Sequence, residues 1–394
     1  MTSPTPLTAP LSGRRPERSL ALDFFRGLAL IVIFINHMPY NPWYWGTPSR
    51  FGFSDATEIF IFISGYVAAL AYGRRFTQDA VQGTGRVLYR CVQVYFAHII
   101  MFGLLALTCV LGNKLAIGPD YIKGLNLTYA FENPRDALLG LLSLRYVPNY
   151  FDILPMYIVI MSMIPVLWLV AQQSRALAVA IPVAIYAGAH RFGWELNAEL
   201  THFRAWYFNP FCWQLLFFTG FALASGWLPR PRWNWFAGFL CVALLSVAAT
   251  IEYGSTFFNN PQLWEMRSAL SAYVDKSHLG LLRYAHFLAL AYVVGHVALR
   301  VPALFNAAPL RLVAQLGRQS LPAFVIAMIL SYAGGIALDA YGRDLPTVAA
   351  INMAGLVIFY VSVRLIGWSK KLGLPAAQVT PVPALQAKPV ALPA

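Results

Sequence analysis

Residues 22–37 read Leu22-Asp23-Phe24-Phe25-Arg26-Gly27-Leu28-Ala29-Leu30-Ile31-Val32-Ile33-Phe34-Ile35-Asn36-His37. The apolar run from Gly27 to Ile35, with its flanks, approaches the roughly 20 residues a helix needs to span a bilayer core. Asp23, Arg26 and His37 are out of place in such a helix, because an ionisable side chain there costs at least a few kcal/mol. Asp23 and Arg26 are three residues apart and share a face near the helix start. His37 stands eleven residues past Arg26, about 16 Å along the axis and three turns on, close to that same face. A bland reading is open for each. An arginine near a helix end can snorkel its charge into the headgroups, and a histidine at the far end can reach the opposite interface.

The rest of the chain has the same character. Of 394 residues, 58% are hydrophobic and 11% charged, against roughly a quarter charged in soluble domains, so most of the chain meets lipid or other apolar helices. Ten segments qualify as spanning helices, starting near Leu22, Phe53, Tyr89, Asp152, Ala176, Pro210, Trp233, Tyr284, Leu321 and Thr347. The predicted fold class is all-α, a polytopic membrane protein of about ten transmembrane helices in one domain over 20–370. A basic tail over 1–19 and an Ala/Pro/Val-rich tail over 371–394 read as disordered. No small-residue cleavage site follows the first helix, which therefore reads as a retained signal anchor.

The formal charge of +13 bears on orientation and not on nucleic acid. One set of alternate connections holds Arg14, Arg15 and Arg18, then Arg74, Arg75, Arg86 and Arg90, then Arg175, then Arg230 and Arg232, then Arg300, Arg311 and Arg318, and finally Lys370 and Lys371. Glu17 and Asp79 are its only acids. The other set mixes basic residues with acids such as Asp120, Glu195, Glu199, Glu252 and Asp275. The positive-inside rule then places both termini in the cytoplasm. The longer connections, Gly112 to Tyr150 and Glu252 to Arg283, face outward, and Pro134 to Tyr146 reads as a helix lying in the outer interface. Cys91, Cys109, Cys212 and Cys241 fall inside predicted helices with no CxxC pair or Cys/His cluster, so neither a disulfide framework nor a metal site is expected.

Helix 2 begins Asp55-Ala56-Thr57-Glu58 and runs through Ile59-Phe60-Ile61-Phe62-Ile63-Ser64-Gly65-Tyr66. Entering from outside, it sets Asp55 and Glu58 at about the depth of His37. A carboxylate beside the imidazole would fix its tautomer and raise its basicity, as general-base catalysis requires. Asp55 is also readable as a plain helix N-cap. Helix 3 carries Arg86 and Arg90 one turn apart, either as orientation charges or as a clamp for phosphates, with His98 two turns beyond. Trp43, Tyr44 and Trp45 follow His37. Aromatic residues belt most membrane interfaces, but flat rings beside a candidate base also suit stacking on sugars, with Asn149 and Asp152 at the head of helix 4 as hydrogen-bonding partners.

These residues resemble the OpgC-domain proteins of bacterial inner membranes, which belong with the acyltransferase-3 type of transmembrane acyltransferase. The similarity lies in Leu22-Asp23-Phe24-Phe25-Arg26-Gly27 followed by His37, like that superfamily's arginine, ten residues, histidine pattern. It continues in Asp55 and Glu58 to Tyr66, like its Phe-rich stretch ending in Ser-Gly-aromatic, and in the run Arg86, Arg90, Tyr95. About the first hundred residues carry these motifs, and Gln93-Val94 departs from the Ile-Tyr-Pro type segment of many relatives. The resemblance implies transfer of an acyl group, succinyl in such proteins, from cytoplasmic acyl-CoA to hydroxyls of a periplasmic glucan. Acyl-CoA (succinyl-CoA) is then a co-substrate, and no cofactor is permanently bound. By position, His37 is the implied catalytic base, oriented by Glu58 or Asp55. Arg26, beside Asp23, is the implied partner of the acyl donor, with Arg86 and Arg90 on the CoA phosphates. A transporter or flippase using the same charges, or an acyltransferase for another envelope glycan, is the competing expectation.

Overall fold

The computed structural model describes residues 19–115 and 118–372, so the expected tails lie outside it except for the helix-end residues Ser19, Lys371 and Leu372. Apart from an isolated bridge between Asn197 and Ala205, the regular structure of the described residues is helical. Ten long helices lie where the apolar runs predict them: α1 Leu20–His37, α2 Ala56–Gln78, α3 Ala80–Leu115, α4 Ile153–Gln173, α5 Arg175–Phe192, α6 Pro210–Ser225, α7 Trp235–Thr256, α8 Leu281–Arg300, α9 Ser320–Tyr341 and α10 Leu345–Leu372. Eight are long and apolar enough to cross a membrane; the less apolar α5 and the 16-residue α6 fall outside that set.

Side-chain caps set several starts, with Ser19, Asp55, Asn209 and Asn234 each accepting a first-turn amide. The largest departure from expectation is α3, which begins at Ala80 rather than near Tyr89 and runs 36 residues. Arginine is a good helix former, so the polar turn holding Arg86 continues the helix although it breaks the apolar run. α4 breaks at Met163 ahead of Pro165, which has no amide to give the preceding turn. In the segment from Pro134 to Tyr146 a helix covers Pro134–Leu142, with Ala137 and Leu141 buried and Leu138, Leu139 and Leu142 exposed.

Glycines bring backbones together at two crossings. A Cβ on Gly65 of α2 would strike the Phe217 carbonyl of α6, and one on Gly220 would strike the Phe62 carbonyl in return. Gly27 of α1 and Gly317 of the helix Ala308–Arg318 make a second reciprocal pair. Small residues are how membrane helices approach this closely.

Contacts between helix ends sort them into two sets. At the His37 end, Asn41 and Asn352 of α10 exchange hydrogen bonds of 2.8 and 3.0 Å, Arg283 of α8 reaches Asp55 ahead of α2, and the Asn209 amide ahead of α6 donates to the Ser277 carbonyl at 3.0 Å. At the Arg26 end, Arg26 reaches Ser320 of α9, the Asn234 amide ahead of α7 donates to the Tyr292 hydroxyl of α8 at 2.8 Å, and Lys370 of α10 reaches Gln319 at 2.8 Å. The starts of α2, α6, α8 and α10 therefore gather at the His37 end, and those of α1, α7 and α9 at the Arg26 end.

Candidate active site

At the His37 end, the C-terminus of α1 meets the N-termini of α2 and α8. Asp55 Oδ1 accepts the Thr57 amide at 2.8 Å, and Glu58 Oε2 accepts the Asp55 amide at 2.7 Å, a capping box that starts α2. The other carboxylate oxygens face cations. Arg283 donates from Nε to Glu58 and from Nη2 to Asp55 at 3.1 Å, and Lys276 Nζ donates to the same Asp55 Oδ2 at 2.6 Å. Glu58 is 0% exposed, so removing its guanidinium would leave a buried charge uncompensated. Burial alone would raise the Asp55 carboxyl, but Lys276 and Arg283 outweigh it and hold the group far below the ordinary carboxylate range.

His37 stands beside this cluster without bonding to it. Its Nδ1 is 2.9 Å from the Ile33 carbonyl, and its ring meets that of Tyr150 edge-on, centroids 5.2 Å apart. A carbonyl only accepts, so Nδ1 carries the hydrogen and Nε2 keeps its lone pair. The carboxylates expected to orient the imidazole, Asp55 and Glu58, are instead engaged by backbone amides, Lys276 and Arg283, and reach His37 only through space. The helix backbone sets the tautomer. Tyr150 holds a left-handed backbone, φ 70°, a strained state for a bulky residue of the kind that collects at functional sites.

The expected sugar-binding residues divide. Trp43 packs against the hydrophobic core. Tyr44 and Trp45 lie under the Arg50 guanidinium, 4.2 and 4.7 Å from their centroids, so each already has one covered face. Asn149 is exposed beside Tyr150. Asp152 is buried, and its Oδ1 accepts the Tyr207 amide at 2.7 Å, which ties down the segment ahead of α6. Burial pushes its carboxyl up to about 7, against the pull of the Tyr207 amide and Arg204.

At the other end, Arg26 and Arg90 line one cavity of about 20 Å³ together with Phe60, Ser64, Tyr157 and Ser320, room for about one water. Arg26 donates to the Ser320 hydroxyl with Phe60 6.0 Å away, Arg90 donates to Gln93 at 3.0 Å, and Asp23 accepts from Arg318 at 3.3 Å. The expected Arg86–Arg90 clamp is split. Arg86 instead joins Arg75, Gln82 and Tyr89 around an open hollow of about 500 Å³. His98, buried on α3 against Phe151, has no hydrogen-bond partner on either ring nitrogen among the described residues.

A family model described as OpgC protein matches residues 18–371. The chain belongs to the OpgC protein family. No curated protein and no solved structure matches it. Membership makes it a membrane acyltransferase of glucan modification, and the match extends far beyond the hundred residues that carry the motifs. Sequence reasoning on this OpgC-family chain missed Lys276, Arg283 and Tyr150. Arg283 had a readable signal, since it opens an apolar helix much as Arg26 does. Lys276 and Tyr150 lie in loops, and only the tertiary fold brings them to His37.

Proposed function

We propose that this chain is an O-acyltransferase of the bacterial inner membrane that moves a succinyl-type group from cytoplasmic acyl-CoA to hydroxyls of a periplasmic glucan. The observation that carries this reading is the polarity of α1, with Arg26 on a basic cavity at one end and an imidazole with a free Nε2 about 16 Å away at the other. The excess of arginine and lysine in the connections at the Arg26 end supports a cytoplasmic position for that end.

In this reading the CoA phosphates meet Arg75 and Arg86, the adenine lies on the exposed Tyr89 ring, and the pantetheine arm passes Arg90 and Arg26. A cavity of about 20 Å³ is too narrow for that arm, so donor binding parts the helices that line it. At the far end, His37 Nε2 takes the proton of the acceptor hydroxyl as its oxygen attacks the thioester carbon. The C–S bond breaks, the ester forms, and the leaving thiolate recovers the proton from the imidazolium. CoA leaves as the thiol and His37 returns neutral.

The test is mass spectrometry of periplasmic glucans from cells with and without the gene. The acyl-ester mass should vanish on deletion and return with the wild-type gene, but not with a membrane-inserted His37→Ala protein. Glucans that are identical in both strains would sink the proposed acceptor.

A further inference from the structure

We infer that Lys276 is the specificity residue at the His37 end, its ammonium receiving the free carboxylate of a dicarboxylic acyl group. The inference rests on the acyl-transfer reading above. Two cations stand at this end, and they differ in commitment. Arg283 uses Nε on Glu58, Nη2 on Asp55 and Nη1 on the Val274 carbonyl at 3.4 Å. Lys276 has three donors and, among the described residues, a single hydrogen-bond partner, Asp55 Oδ2 at 2.6 Å. Its Nζ also lies 5.9 Å from the Phe208 centroid, and an aromatic face attracts a cation without occupying its hydrogens.

Asp55 keeps partners when Lys276 turns away, because Arg283 Nη2 and the Thr57 amide hold it as well. The ammonium can therefore turn toward an incoming carboxylate without orphaning a buried charge. Phe208 beside its Nζ follows Tyr207, whose amide holds Asp152, and Tyr150, two residues before Asp152, meets the His37 ring, so Lys276 belongs to the same cluster of helix ends as the imidazole. The Lys276 side chain is 28% exposed, open enough for a ligand to reach it. A neutral acyl chain offers this ammonium nothing, whereas a terminal carboxylate gains a charge-assisted hydrogen bond in a partly desolvated site.

The experiment uses full-length protein in nanodiscs with a glucan acceptor, comparing succinyl-CoA with the neutral butyryl-CoA. Wild type should favour succinyl-CoA, and in Lys276→Met the ratio of kcat/KM for succinyl over butyryl should fall on the order of 100-fold. Lys276→Arg, which keeps the charge, should recover most of that ratio. A Met variant that loses both donors in the same proportion overturns the inference, and so does a wild type with no preference for the anionic donor, a result that needs no variant to fold. Wild type that forms no ester from either donor overturns the acyl-transfer reading itself.

Discussion

The Nδ1 atom of His37 lies 2.9 Å from the carbonyl oxygen of Ile33, one turn back on the same helix. That contact selects the tautomer with a basic Nε2 before any substrate arrives. It also makes the orientation of the imidazole a property of α1, without a hydrogen bond to the carboxylates on α2.

Replacing the imidazole should therefore act on the chemical step. His37→Gln, which keeps a polar side chain of similar reach, should lower kcat on the order of 10²–10⁴-fold with little change in KM for the donor. Single-turnover acyl transfer in nanodiscs measures this. A Gln variant with near wild-type kcat would mean that the base lies elsewhere.

Glu58 and Arg283 should behave as a buried pair. Arg283→Met leaves Glu58 charged with 0% exposure and should cost about 3–5 kcal/mol of stability. Glu58→Gln in the same chain should recover part of that loss, since it removes the orphaned charge but keeps an acceptor for the Asp55 amide. Thermal unfolding in detergent of both single variants and the double variant decides this. Strictly additive losses would show that the two side chains are not coupled.

The helices were legible because the bilayer imposes a length and an apolarity that one sequence reports, and nine of the ten predicted starts lie close to the observed ones. The start of α3 was not, because a helix that leaves the membrane with arginines on its surface no longer looks apolar. At the site, Arg26 and His37 stood out because they are ionisable residues flanking an apolar run. Their partners did not. The Ile33 carbonyl has no sequence signature, and Lys276 reaches Asp55 across 221 residues of chain. Asp55 was readable as a helix N-cap, whereas the capping-box role of Glu58 and its bond to Arg283 were not.

Asp152 should give stability a pH dependence of its own. Unfolded, its carboxyl ionises near 3.8; folded, burial raises it to about 7. Below the lower value both states are protonated and nothing is lost. As pH rises from there to about 7, unfolding releases a proton that the native state retains, so native stability falls, and above that the full cost is present. Asp152→Asn keeps an acceptor for the Tyr207 amide and carries no charge. Above neutral pH it should be more stable than wild type by about 2–4 kcal/mol, with the gain disappearing in acid. A melting-temperature difference that does not change with pH would rule out ionisation as the cause.

Arg86 and Arg90 are one helical turn apart, yet they should fail in different ways. Arg86 shares an open hollow with Arg75, while Arg90 lines the inner cavity with Arg26. If the hollow holds the nucleotide of CoA, Arg75→Ala/Arg86→Ala should raise KM for acyl-CoA on the order of 10-fold, less at high salt because exposed charges are screened. The same double variant should leave KM for an acyl-pantetheine, which has no nucleotide, where wild type has it. Arg90→Ala should impair both donors, since each must pass the inner cavity. Steady-state kinetics with the two donors separates the stations. Equal damage to acyl-pantetheine and acyl-CoA in the Arg75/Arg86 variant would remove the phosphates from the hollow.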